Sequence, residues 1–207
     1  MKHAIFRKLQ IDEYLGSKAL NSSIRKRLAS EADIDRYANR ISDLLSSFGI
    51  PADYGQIHRL PLQTEACRLK SIGTDIYKRE QELLPEAADA WLAMCNEAGK
   101  QGVKLQPVSA FRSVEYQSGI LQRKLDKGLK LHKILKVSAA PGYSEHHSGR
   151  ALDITTPGYA VLEEEFEHSL AFEWLCEYAA DFGFSLSFPR DNPHDVAYEP
   201  WHWAWHG

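Results

Sequence analysis

A chain of 207 residues with 43% hydrophobic and 26% charged residues has room for one domain with a substantial core, and its composition lies far from that of a disordered or membrane protein. A formal net charge of −3 leaves no basic excess to hold a phosphate backbone, so no nucleic acid is expected as a partner. Three scattered cysteines, Cys67, Cys95 and Cys176, form no CxxC pair, which argues against a thiolate zinc site and a disulfide framework and fits a reducing compartment.

The N-terminal stretch MKHAIFRKLQIDEYLGSKAL lacks the apolar run of a signal peptide, and no later stretch approaches the roughly 20 apolar residues of a spanning helix. A cytoplasmic location with no membrane partner is the expectation. No feature of the sequence sets an oligomeric state.

From Ser23 to Phe48 the residues Ile24, Leu28, Tyr37, Ile41, Leu44, Leu45 and Phe48 recur at helical spacing, and Gly49 follows as a stop. The next stretch, IPADYGQIHRLPLQ, reads as a connector because it carries two prolines and turn residues. A boundary near residue 70 then separates an N-terminal helical extension, residues 1–70, from the main domain, residues 71–207. A helix is predicted over Tyr77–Ala98, with Leu83, Leu84, Ala87, Ala88, Trp91, Leu92, Met94 and Cys95 on one broad stripe before Gly99. KLQPVSAF reads as a short strand, after which Ser113 caps a helix running to Gly128, so Arg112 falls at a strand-to-helix corner.

ALDIT is a strand in which Asp153 shares a face with Ala151 and Thr155, away from Leu152 and Ile154. Phe166, Leu170, Trp174, Tyr178 and Phe182 repeat every four residues and predict one helix ending at Gly183. FSLSF and EPWHWAWHG supply two further strands. Helices and strands do not alternate, and no glycine-rich phosphate loop follows a strand. The expected class is α+β, with a small, mostly antiparallel sheet flanked by helices.

The chemistry concentrates late in the chain. Ser144–Asp153, SEHHSGRALD, puts His146 in a glycine-containing loop and Asp153 on the strand after it, and the C-terminal EPWHW adds His202 and Glu199. A His, Asp, His set leaves a fourth tetrahedral position for water, as in catalytic rather than structural zinc sites. Glu199, the carboxylate nearest His202 in sequence, is the candidate general base. In a flat strand Glu199 faces away from His202, so Pro200 between them must turn the chain. His147 points opposite His146 in an extended segment and reads as a residue behind the ligands or at the rim. His3, His58, His132, His168, His194 and His206 are read as ordinary surface or core histidines. The C-terminal tryptophans read mainly as sheet packing, with Trp201 also a candidate substrate contact.

The blocks SEHHSGRALD and EPWHW, together with Ser109-Ala110-Phe111-Arg112-Ser113 followed by Tyr116 and Gln117, resemble the zinc D-alanyl-D-alanine carboxypeptidase family. That family includes D-Ala-D-Ala dipeptidases, L,D-carboxypeptidases and phage endolysins, and its metal-site fold is similar to that of the Hedgehog signalling domain. The resemblance covers about residues 105–207, and residues 1–70 match no family pattern. It implies Zn2+ held by His146, Asp153 and His202, catalysis by Glu199, and Arg112 stabilising an oxyanion or the substrate carbonyl. It further implies Gln117 and Ser144 on the substrate side, and a peptidoglycan-derived peptide as substrate. The implied reaction is removal of the C-terminal D-alanine of a stem peptide (D,D-carboxypeptidase). Its alternatives are an L,D-carboxypeptidase acting on recycled tetrapeptide muropeptides, a non-catalytic zinc-bearing binding module, or an endolysin-like enzyme cutting L-alanyl-D-glutamate bonds.

Overall fold

The computed structural model of the protein describes residues 31–207, and Ile24 and Leu28 of the predicted first helix lie outside that range. Within it, helix α1 spans Glu31–Ser47 and stops where expected: Gly49 takes the left-handed φ of 70°, and the amide of Ile50 returns to the Leu45 carbonyl at 2.9 Å. The connector contains one helical turn, α2, Tyr54–Ile57.

Residues 77–83 depart from the predicted helix. Strand β1, Lys70–Thr74, and strand β2, Glu80–Leu83, form an antiparallel hairpin, and helix α3 begins only at Pro85 and runs to Lys100. Proline fits the first helical turn, where its missing N–H costs nothing, and the residue before it is pushed to extended backbone; Leu84 accordingly has ψ 137°. The apolar stripe from Ala87 onward belongs to α3, whereas Leu83 enters the same core from a strand.

Strand β3 is Gln106–Ser109, and helix α4, Val114–Asp126, is capped by Ser113, whose Oγ accepts from the Tyr116 amide at 3.0 Å. A short helix α5, Leu131–Ile134, and a 3-10 turn, Glu145–Ser148, lead to β4, Ala151–Thr155. The region predicted as one helix over 166–182 is three pieces: a 3-10 turn Glu164–His168, helix α6 Leu170–Tyr178, and a 3-10 turn Ala179–Phe182. Ser169 breaks the run, because its Oγ caps the Phe172 amide at 3.1 Å and restarts the helix. Strands β5, Phe184–Leu186, and β6, His202–Trp205, complete an antiparallel sheet in the order β3-β4-β6-β5. The class is α+β, with small antiparallel sheets and flanking helices.

Strand β4 is central, and all five of its residues are buried. Leu152 and Ile154 join Trp91, Met94 and Trp203 in one apolar core, so Asp153 faces the other side of the sheet. A second core joins Ile41, Leu45, Ile50 and Tyr54 to Val114 and Leu121 of α4, to Tyr143 and to Phe188. Backbone bonds run beside it from a strap that follows α2: Gln63 donates to the Gly142 carbonyl and Ala66 to the His147 carbonyl, each at 2.7 Å. Glu65, between them, accepts from the Val114 amide at 2.5 Å and so caps α4. No helix among the described residues is long and apolar enough to cross a membrane.

Gly149 is a tight joint against this strap. Its φ is +67°, and a Cβ there would meet Ala66 Cβ at 2.9 Å and the Leu84 nitrogen at 3.0 Å. Strain and overlap together are expected to cost Gly149→Ala about 3 kcal/mol. Urea unfolding of the variant beside the parent protein measures this, and an unchanged midpoint would contradict the packing described.

Candidate metal centre and active site

The register of the central strands builds the site. Asp153 of β4 pairs directly with His202 of β6, and Ser109 at the end of β3 pairs with Asp153 from the other side. His146 arrives from the 3-10 turn that precedes β4, and its ring meets that of His202 edge to face at 4.9 Å. One ligand atom from each of His146, Asp153 and His202 lies within 4.8 Å of the others, and all three side chains are buried.

Each imidazole is held by its other nitrogen. His146 Nδ1 donates to the Ala110 carbonyl at 2.6 Å, which leaves the lone pair on Nε2, 3.4 Å from Asp153 Oδ1. That Nε2 is buried and has no hydrogen-bond partner among the described residues. A buried orphan acceptor is costly unless something fills it, and beside a carboxylate a cation does so. Burial, reinforced by the Arg112 charge, pushes the His146 pKa down to about 4, so the neutral ligand form prevails at neutral pH. His202 turns Nδ1 to Asp153 Oδ1 at 3.1 Å and Nε2 to Glu145 Oε2 at 2.9 Å. Burial opposes its charge, but the two carboxylates outweigh burial and raise its pKa to about 10. A divalent cation held by His146, Asp153 and His202 would take the place of a proton on the His202 ring, which Glu145 helps to orient. Burial likewise opposes ionisation of Asp153, yet His146, His202 and Arg112 hold its carboxyl well below the usual range.

Glu145 was not singled out in the sequence, although it stands next to His146. Burial opposes its charge, and the His202 bond overrides that and holds its pKa at about 2. A carboxylate adjacent to one ligand but serving the other, 57 positions away, is visible only once β6 lies beside the turn.

Glu199 reaches the site through a turn. The His202 amide donates to the Glu199 carbonyl at 3.1 Å across Pro200 and Trp201, and Trp203 Nε1 donates to the Pro200 carbonyl at 2.9 Å. Proline at the second position of such a turn has its fixed φ where the turn needs it. The Glu199 carboxylate thereby lies 3.9 Å from His202 Nδ1. Burial, with the nearby Asp153 and Glu145 charges, raises its pKa to about 7 against the pull of His202 and Arg112.

Arg112 Nη2 pairs with Asp153 Oδ2 at 2.9 Å, and Nη1 donates to Gln117 Oε1 at 3.3 Å. Its Nε is buried and without a partner among the described residues. Gln117 is fixed in turn by a bond to the Ala139 carbonyl at 2.8 Å. His147 holds this corner together, since Nδ1 donates to the Arg112 carbonyl at 2.7 Å and Nε2 accepts from the Gly142 amide at 3.1 Å. It is fully buried behind the ligands and not at the rim. Ser144 is buried directly before the 3-10 turn, and Trp201 packs against the core shared by Trp91 and Trp203.

The family model for VanY, described as D-alanyl-D-alanine carboxypeptidase, matches residues 80–207. YodJ of Bacillus subtilis (strain 168), a carboxypeptidase by name, is 36% identical over 122 residues, which are 56% of this chain and 44% of YodJ. The chain thus spans less than half the length of that relative. Among solved structures, the LD-carboxypeptidase LdcB is similar with a TM-score of 0.62 and 30% identity over 71% of this chain and 72% of LdcB. A variant of the vancomycin resistance D,D-pentapeptidase VanY, in complex with Zn(II), matches with a TM-score of 0.55 and 25% identity over 72% of this chain and 83% of VanY. On a match that takes in the whole sheet and all the residues gathered at its centre, the chain belongs to the VanY family of D-alanyl-D-alanine carboxypeptidases.

Proposed function

We propose that this protein is a zinc-dependent D,D-carboxypeptidase that removes the C-terminal D-alanine from peptidoglycan stem peptides. The observation that carries the proposal is the convergence of the unpartnered His146 Nε2 with Asp153 and His202, beside a Glu199 carboxyl that burial raises to about 7. Two imidazoles and one carboxylate suit zinc and leave a coordination position open. When bound, the metal lowers the pKa of a water and polarises the scissile carbonyl.

The chain's own groups divide the remaining work. Glu199 accepts the water's proton and passes it to the leaving amine, and a carboxyl with its pKa near neutrality both takes and gives a proton readily. Arg112 offers its unpartnered Nε–H to the oxygen on which charge develops, while its fork fixes Asp153 and Gln117. Gln117, Ser144 and Trp201 are the proposed substrate-side residues. The proposed compartment is the cytoplasm, with peptides released by wall turnover as the supply.

D,D specificity is favoured by the family description and by the VanY likeness. The likeness to LdcB supports a second reading, in which the residue before the terminal D-alanine is an L-amino acid and a tetrapeptide is cut. Mass spectrometry of three defined peptides, incubated with zinc-loaded protein, separates the readings. A pentapeptide ending in D-Ala-D-Ala should lose one alanine, and the same peptide ending in L-alanine should stay intact, because an ångström-scale misplacement of the scissile carbonyl costs about a hundredfold in rate. Cleavage of the tetrapeptide alone would select the L,D reading. Hydrolysis of the L-terminal peptide, or cutting between L-alanine and D-glutamate, would overturn both.

A further inference from the structure

The arginine of the site is already committed. Arg112 spends Nη2 on Asp153 and Nη1 on Gln117, so a carboxypeptidase of this design needs a second cation for the free carboxylate that marks its substrate's end. Helix α4 carries one. Val114, Gln117 and Leu121 form its buried stripe, and Lys124 continues that stripe seven positions after Gln117.

Lys124 is half-buried, and its Nζ donates to Ser138 Oγ at 2.7 Å. Ser138 adjoins Ala139, whose carbonyl holds Gln117, so the lysine, the glutamine and the arginine form one connected row. No carboxylate lies within 4.0 Å of Lys124 among the described residues, although an ammonium has three donors to place. The charges of Arg112 and Glu199 both act on it, which puts it within electrostatic reach of the site. The surrounding segment 123–136 holds Arg123, Lys124, Lys127, Lys130, Lys133 and Lys136 against a single acid, Asp126, in a chain whose net charge is −3. A local positive field of this kind draws in anionic peptides.

We propose that Lys124 is the cation that receives the terminal carboxylate of the peptide substrate, and that it is the residue that makes the site a carboxypeptidase rather than an endopeptidase. The assignment rests on the peptidase reading above, so the test separates the two. Binding is measured by calorimetry on zinc-loaded Glu199→Gln protein, which holds substrate without turning it over, using a D-Ala-D-Ala pentapeptide acid and its C-terminal amide.

The acid should bind at least about tenfold more tightly than the amide, the size expected of one charge-assisted hydrogen bond. Adding Lys124→Met should remove that preference by weakening the acid alone. Lys124→Arg should keep most of it. Lys124→Gln, which retains a donor for Ser138, should behave like Lys124→Met and serves in its place if the methionine variant fails to fold. If the Glu199→Gln protein binds neither peptide, the peptidase reading falls and takes this one with it. If acid and amide remain distinguished in the Lys124 variants, or both weaken equally, the proposal for Lys124 alone is overturned.

Discussion

Glu199→Gln should lower kcat by about 10²- to 10⁴-fold while the zinc content stays that of the parent protein, and His202→Ala should lose both metal and activity. Two carboxylates lie near His202 Nδ1, apart from Glu145 on Nε2, and they make this a demanding comparison. Asp153 lies 3.1 Å from Nδ1, at ligand distance of the same site, whereas Glu199 lies 3.9 Å away on a turn held by the Pro200 carbonyl and the Phe188 carbonyl. The amide keeps the shape and the hydrogen-bonding reach of Glu199 but cannot take a proton, so only the chemical step suffers. Metal analysis and steady-state kinetics on the same preparations give the answer. Equal zinc loss in the two variants would make Glu199 a ligand and not a base.

The second large effect is expected at Arg112. Arg112→Lys keeps one positive charge but replaces a planar fork by a single point of attachment, and the row Asp153–Arg112–Gln117 needs that fork. Loss of one preorganised donor at a developing oxyanion typically costs about 10²-fold in kcat. The burden should fall on kcat more than on KM, because Gln117 keeps its bond to Ala139 and His147 still holds the corner's backbone. Kinetics on matched zinc-loaded samples show the split, and parental rates in the lysine variant would reduce Arg112 to a structural ion pair.

Much of the site is legible in the chain because its parts are local and chemically distinctive. The loop-and-strand SEHHSGRALD and the terminal EPWHW mark their candidate ligands through residue type, and the alternation along ALDIT already turns Asp153 away from Leu152 and Ile154. Pro200 foretold a turn, and a turn is what brings Glu199 round. The helix predicted over Tyr77–Ala98 failed in its first third because a 3.6-residue stripe does not register where a proline starts it; Pro85 does, and β2 happens to add Leu83 to the same core. Glu145 and Lys124 were illegible for another reason. Their partners lie 57 and 14 positions away, and a lone charge in a sequence carries no sign of what it will face.

The strap through Gln63, Glu65 and Ala66 bears on how this protein is handled as a piece. Residues 80–207 hold all three candidate ligands and the whole stretch that the family model matches, yet the loop that presents His146 and the helix that follows Arg112 are both tied down by residues that come earlier in the chain. The residues that the family model matches and the residues that fix the site in place therefore differ. A piece excised at residue 80, or grafted into another protein, carries the candidate site residues without the strap that ties their loop and helix down, so residues 63–66 must travel with it.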